Sequence, residues 1–489
     1  MFFYTPEEVR RIEKNETENG LSSLEMIENA AAALYDRFKE CFEANRKPMR
    51  VLVLCGKGNN GADGYAFAKL LKKDGIFTEI LSVNTGKQSR ENRFFSQNAA
   101  VLETKPDFSK YDCIADGVYG SGFTGELPEE IGNLFDDIRR SAVPVFAIDL
   151  PSGVHGADGT VSSHALPADF TVNLTARKVG SYVFPGAGLC GKVFLGAELP
   201  APPSSFKDGF LPLARPSGRT NKGTFGTVGV VGGGKNMAGA AFLAGKAAYL
   251  SGAGLVKLFT PECNRSILQT LLPEATLYTY DDQTKPEELL FQASRCTVLV
   301  LGPGLGQGKQ QKELVKTLLE NLSCPLVLDA DSLNLSACRG FIEHYQGPLV
   351  LTPHPGEALR LSCGERKTIK EITDDPLHTL EILQKKYRCT VLLKDAHTLI
   401  SDGRSLAVNL TGNSGMSKGG NGDVLSGIIG ALLAEGLSPF KAACAGAYYH
   451  GLAGDLAAKK HGQRSLLATH VLEELPSSFL LAFEKPYAG

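Results

Sequence analysis

The sequence predicts an α/β protein of two domains, each a three-layer sandwich of parallel strands between helices. Three features carry that expectation. At 489 residues the chain exceeds what one hydrophobic core covers. Near-continuous apolar runs alternate with helical patterns, as parallel strands buried on both faces require. The stretch 198–216, "ELPAPPSSFKDGFLPLARP", holds five prolines with little apolar periodicity, and it interrupts the alternation as an extended connector. The domains so predicted are 1–205 and 215–489, and no short internal repeat stands out.

In the first domain "MRVLVLC" (49–55) reads as a strand and "GADGYAFAKLLKKDG" (61–75) as a helix. "FTEILSV", "DCIADGV" and "VPVFAIDLP" (143–151) follow as strands. After the connector, "TVGVVGG" (227–233) leads into the small-residue helix "GAAFLAGKAAYLSGAG" (239–254). "TVLVLGPG", "PLVLDAD", "GPLVLTPHPGE" and "CTVLLKD" continue the strand series.

Composition narrows the function classes. Hydrophobic residues at 43% and charged residues at 21% describe an ordinary globular protein. A formal net charge of −2 without a dense basic run argues against nucleic-acid and membrane-surface partners. No apolar run reaches the length of a membrane span, and the N-terminus lacks a secretory pattern. The 11 cysteines are scattered without a CxxC pair, which predicts free thiols in a reducing compartment, the cytoplasm by default.

In parallel sheets, ligands bind beyond the carboxyl ends of the strands. Polar or glycine-rich clusters sit at those ends in both halves: Asn59–Asp63, Asp116–Gly125, Asp149–Ser152, Gly302–Gly306, Asp329–Asp331, His354–Glu357 and Lys394–Thr398. Their spread predicts two active sites. "GKGNNGADG" (56–64) contains G-x-G-x-x-G, yet Asp63 puts a negative charge in the turn where a pyrophosphate would sit. A neutral or ribose-like ligand, or a hard cation on the carbonyls of Asn59 and Asn60, fits this loop better.

"GNNGADGYAFAKLL", "DGVYGSGFTGEL" (116–127) and "IDLPSGVHGADG" (148–159), with "LEMIENAA" (24–31) upstream, resemble the epimerase half of the NAD(P)H-hydrate repair enzymes. The resemblance covers roughly residues 1–200 and implies a Rossmann-like sandwich. It implies a potassium ion held by Asn60, Asp116 and Ser152. It also implies a hydrate site lined by Asn59, Asn60, Gly61, Ala62, Asp63, Gly120, Ser121, Gly122, Phe123, Thr124, Gly125 and Glu126, with Asp149 as the catalytic carboxylate. Ala62 stands where the family usually has a second glycine, so its methyl is expected to crowd a close backbone approach. The hydrated nicotinamide ring carries a hydroxyl beside its nitrogen. Proton-assisted loss and return of that group inverts the carbon, and a carboxylate in reach serves such a step.

In the second domain, "GNSGMSKGGNGDVLSG" (412–427) runs glycines into an apolar helix around one acid, Asp423. Amides at a helix N-terminus make an anion-binding concavity, and Asp423 at its rim is placed to take a proton from a hydroxyl attacking a phosphoryl group. The chain contains no Walker loop. His354 lies between two prolines past a strand, where a ligand contact and a structural role are equally open; Lys394 ends a strand, where its ammonium suits a phosphate.

The order "GPGLG", "DADSLN", "LTPHPGE", "LKDAHT", "GGNGDVLSG" and "YYHGLAGD" resembles the ribokinase-like ADP-dependent NAD(P)H-hydrate dehydratases over nearly all of 215–489. The resemblance implies that Ala240 or Ala241, Gly304, His354 and Asp423 face the hydrate. It implies that Lys394, Asp395, Ala396, His397, Thr398 and Gly422 face the adenine nucleotide, ADP or ATP, with Mg2+. Asp395 stands where glycine is usual, and a carboxylate beside phosphates is unfavourable unless it points away. The implied chain is a homo-oligomeric repair enzyme acting on the hydrates NADHX and NADPHX. Two alternatives stay open: a hydroxymethylpyrimidine or sugar kinase, and a first domain that serves only as a scaffold.

Overall fold

The computed structural model describes residues 1–42, 49–83, 86–213 and 220–484. It divides into two compact units, Met1–Phe206 and Lys207–Gly489. The connector read at 198–216 contains a short strand, Phe206–Asp208, and its last residues, 214–216, lie outside the described residues.

The first unit is built on a sheet in the order Phe77–Ser82, Arg50–Cys55, Cys113–Gly117, Val145–Ile148, Phe170–Leu174 and Lys192–Gly196, with every neighbouring pair parallel. The last two strands extend the series beyond those read from the sequence. Alternation along each strand feeds two apolar layers. Val51, Val53, Phe146 and Ile148 pack with Leu34 and Phe38 of the helix Ser23–Phe42 and with Phe67 of the helix Asn59–Lys73. Leu52, Leu54, Val145 and Ala147 pack on the other face with Phe135 and Ile138 of the helix Glu129–Ser141. The helix Asn59–Lys73 starts two residues before the sequence-read boundary, so both asparagines lie in its first turn. Gly56 lets the loop before it lie against the next strand's loop: a Cβ there would stand 2.0 Å from the main-chain oxygen of Val118.

The second unit's sheet runs Leu406–Asn409, Thr398–Ser401, Thr390–Leu393, Leu349–Leu351, Leu326–Leu328, Val298–Leu301, Thr227–Val231, Leu255–Pro261 and Thr276–Tyr280. From Thr390–Leu393 to Thr276–Tyr280 the pairs are parallel, but the two hairpin strands before them pair antiparallel. The departure from an all-parallel sheet has a simple cause: the short turn after Lys394 leaves no room for a crossover. Small residues explain the glycine-alanine helices. The helices Ala238–Leu250 and Asn421–Ala434 pack so closely that a Cβ on Gly427 would lie 2.1 Å from the main-chain oxygen of Ala244. On the same helix a Cβ on Gly430 would meet a Val300 methyl at 2.6 Å.

One thiol expectation is corrected. Cys338 and Cys363, separated by 25 residues, form a disulfide with an S–S distance of 2.02 Å. They follow the helices Asp331–Ser336 and Pro355–Leu361, so chain topology brings together residues whose spacing carries no signal. Among the described residues no helix is long and apolar enough to cross a membrane.

Candidate active sites

In the first unit, the carboxyl edge of the sheet gathers the motifs read from the sequence. Asp149 follows the strand Val145–Ile148 with φ 67°, a left-handed conformation that aspartate tolerates better than most residues. Its Oδ2 accepts the Ser121 N–H at 2.8 Å, and its Oδ1 accepts the Leu174 N–H at 3.2 Å. Gly120 is required here: a Cβ at that position would stand 2.9 Å from both Asn60 Oδ1 and Asp149 Oδ2.

Asp116 is fully buried and accepts the Ser152 hydroxyl at 2.7 Å, the Ser152 N–H at 2.8 Å and the Val118 N–H at 3.2 Å. Burial pushes its carboxyl up to about 6 against those hydrogen bonds. Ser152 Oγ in turn accepts the Tyr119 N–H at 2.8 Å, and the buried Asn60 Nδ2 has no partner among the described residues. A buried carboxylate beside hydroxyl and side-chain amide oxygens is an oxygen set of the kind that hard cations take. Among the described residues no three His, Cys, Asp or Glu side chains gather as they would around a transition metal.

The remaining loop residues divide. Asn59 and Gly61 lie in the same first turn, and Asp63 is buried; burial, then Asp149 and Glu13, push its carboxyl well above the usual range. Ala62 lies with its methyl fully buried in the apolar layer under the helix. Phe123 is buried against Tyr119 at 5.0 Å and His155 at 5.3 Å between ring centroids. Gly122, Thr124 and Gly125 are exposed, and exposed Glu126 accepts the Ser162 hydroxyl at 2.6 Å. Sequence reasoning missed Lys178, Glu13 and Asn173. Lys178 is buried and pairs with Asp149 Oδ1. Asn173, a polar residue one place before the end of a buried strand, was the available signal.

In the second unit, Asp423 sits in the first turn of Asn421–Ala434, whose N-cap is Gly420 at φ 95°. Burial, and then the Asp329 charge, push its carboxyl up to about 7, with Lys394 opposing. The Lys394 ammonium bonds Asp329 Oδ1 at 2.8 Å and lies 3.9 Å from Glu357. It therefore stands among carboxylates, not as the open point charge that its place in the sequence suggested. Burial works against that ammonium, but Asp329, Glu357 and Asp423 outweigh it. A Cβ on Gly422 would lie 3.5 Å from Lys394 Nζ, which ties the glycine loop to this cluster.

His354 caps the helix Pro355–Leu361. Its Nδ1 accepts the Gly356 N–H at 3.0 Å, which assigns the ring proton to Nε2, 3.4 Å from Glu357 Oε1. Burial pushes Glu357 up to about 7. Ala240 meets Gly304, where an added Cβ would come within 2.7 Å, and Ala241 is fully buried in the core. Asp395 bonds its neighbour Ala396's N–H at 2.8 Å, so its carboxylate closes its own turn. Ala396 and His397 complete that turn, and Thr398 opens the next strand. His450, unassigned from the sequence, is buried with Nε2 unpartnered among the described residues; burial, then Lys394, lower its pKa to about 4.

With both sites described, likeness to known proteins decides the family. A family model described as NAD(P)H-hydrate dehydratase matches residues 228–477, and one described as YjeF-related protein N-terminus matches 23–180. A "Bifunctional NAD(P)H-hydrate repair enzyme Nnr" of Coxiella burnetii is 35% identical over 494 residues, covering 96% of this chain and 98% of that protein. The chain belongs to the bifunctional NAD(P)H-hydrate repair enzymes.

A repair enzyme of Escherichia coli K12 is 34% identical over 96% of this chain and 92% of its own length. Among solved structures, a Streptococcus mutans protein, SMU.573, has a TM-score of 0.50 at 27% identity, covering 55% of this chain and 95% of its own. A Bacillus subtilis ADP/ATP-dependent NAD(P)H-hydrate dehydratase, co-crystallised with ATP and Mg2+, has a TM-score of 0.49 at 29% identity, with the same coverages of 55% and 95%. Repair-enzyme membership agrees with the expected pairing of a Rossmann-like and a ribokinase-like sandwich.

Proposed function

We propose that the first unit interconverts the R and S hydrates of NADH and NADPH, and that the second dehydrates the S hydrate with ADP as phosphoryl donor. One observation supports the second activity above others. Asp423 is raised to about 7 at the head of a glycine-capped helix, where free amides await an anion. Asp423 takes the proton of the ring hydroxyl, whose oxygen attacks the terminal phosphoryl group and releases AMP. Phosphate then leaves C6 with the bonding pair while C5 gives up a proton, restoring the C5–C6 double bond. Lys394, Gly422 and the turn Asp395–Thr398 hold the nucleotide, and His354, Ala240 and Gly304 bound the hydrate. Magnesium carried with the nucleotide neutralises charge on the phosphates.

In the first unit Asp149 is the acid–base group, and potassium would be held by Asn60, Asp116 and Ser152, supplying the positive charge that buried Asp116 lacks. The test is an assay of the whole chain on both hydrate epimers with ADP, with ATP, or with neither. The expected result with ADP is full recovery of reduced-nicotinamide absorbance with release of free phosphate, and without nucleotide no recovery. A stable phosphorylated product would overturn the dehydratase assignment in favour of a kinase. Conversion that stopped at the S share would overturn the epimerase assignment.

A further inference from the structure

Lys178 is 1% exposed, among the most deeply buried charged side chains of the first unit. A buried ammonium is costly unless paired and hydrogen-bonded. Here it pairs with Asp149 Oδ1 and donates to the main-chain oxygen of Leu174. Its own position is fixed by Asn173. The Lys178 N–H donates to Asn173 Oδ1 at 3.0 Å, and Asn173 Nδ2 donates to the Asp149 main-chain oxygen at 2.6 Å and to Ser181 Oγ at 2.8 Å. Lysine and aspartate are thus locked to one another through main chain and side chain alike.

The two oxygens of Asp149 are made unequal by this arrangement. Oδ1 accepts from Lys178 and from the Leu174 N–H at 3.2 Å. Oδ2 accepts the Ser121 N–H at 2.8 Å and borders the space that Gly120 leaves by having no side chain, with Asn60 Oδ1 across it. Two further acids feel the charge of the same ammonium, which opposes the rise that burial causes in each: Glu13 from the helix Pro6–Glu18 and Asp63 from the helix Asn59–Lys73. Glu13 also accepts the Thr175 hydroxyl at 3.1 Å. One cation therefore acts on three carboxylates, and among the described residues Asp149 is the one it pairs with.

We propose that Lys178 is a positioning residue of the epimerisation: it holds Asp149 Oδ1 and leaves Oδ2 as the oxygen presented to the hydrate's hydroxyl. The proposal rests on the epimerase reading of the first unit. In the step it serves, the C6–O bond breaks as the ring-nitrogen lone pair forms C=N. With Asp149 protonated on Oδ2, the departing oxygen takes that proton and leaves as water. A water then adds to the opposite face, and the proton it releases passes through solvent to Oδ2, which restores the acid. Lys178 keeps its own proton throughout; its part is orientation and charge.

The experiment uses the full-length chain on R-hydrate with ADP, reads S-hydrate dehydration alongside to show that the second unit is active, and follows the first unit's own unfolding transition in urea as the control for folding. Lys178→Met is expected to lower kcat for R-hydrate conversion about 100-fold with KM changed less than about threefold, the scale of a mispositioned acid–base group. Lys178→Arg is expected to recover part of the loss, and methylammonium to accelerate Lys178→Ala saturably. Turnover by Lys178→Met within about threefold of the parent would overturn the proposal. So would a loss that neither arginine nor methylammonium relieves, because the lysine would then act only in folding. A parent chain that converts no R-hydrate would overturn the epimerase reading itself, and this proposal with it.

Discussion

At the scale of single residues, Asp423 carries two predictions with opposite signs. A base raised to about 7 is ionised only above that pH, so kcat/KM for dehydration should fall as pH drops below about 7. Asp423→Asn should lose about 100-fold or more in kcat, measured by recovery of reduced-nicotinamide absorbance. Stability runs the other way. The folded pKa exceeds the unfolded one, so the carboxyl's contribution is fully present below about 4 and is lost as pH rises through about 7. Asp423→Asn should therefore raise the melting temperature of the nucleotide-free chain, and raise it more at pH 8 than at pH 5. An equal change at both pH values would mean that the acid is not strained by its surroundings. Asp423 and Asp149 were legible because each interrupts a glycine motif or a strand end. Lys178 was not, because "TARK" after a strand looks like a solvated loop until burial reveals its partner.

At the scale of elements, the sequence marked strands well and edges poorly. "VLVLC" (51–55) and "VLVL" (298–301) are apolar throughout, so their burial on both faces could be read directly. The hairpin strands Thr398–Ser401 and Leu406–Asn409 are short, with polar residues at their ends, and their antiparallel pairing depends on a turn whose geometry the residue types do not announce. The glycines of the helix Asn421–Ala434 make a test of packing. An added Cβ at Gly427 meets a main-chain oxygen at 2.1 Å, whereas one at Gly430 meets a side-chain methyl of Val300 at the longer distance of 2.6 Å. Gly427→Ala should destabilise by about 2–3 kcal/mol and Gly430→Ala by less, measured by urea unfolding of the second unit's transition. The reverse order would show that the helix pair slides apart freely.

At the scale of the whole molecule, one chain carries two chemistries whose intermediate, the S hydrate, is a free small molecule. Single-site variants should therefore complement each other when mixed. Asp149→Asn alone should stop at the S share of an epimer mixture, and Asp423→Asn alone should yield no reduced nicotinamide. An equimolar mixture of the two should go to completion. Failure to complete would mean that the hydrate passes between sites only within one molecule. Both sites were legible as motif clusters beyond strand ends, while their chemistry needed the family's pattern to name it. In each unit the candidate reacting groups lie at the carboxyl edge of the parallel strands, above an apolar interior. A protein engineer wishing to change which damaged coenzyme is accepted would rewrite the strand ends, helix starts and loops along that edge, and would leave in place the strand whose Asn173 fixes Asp149.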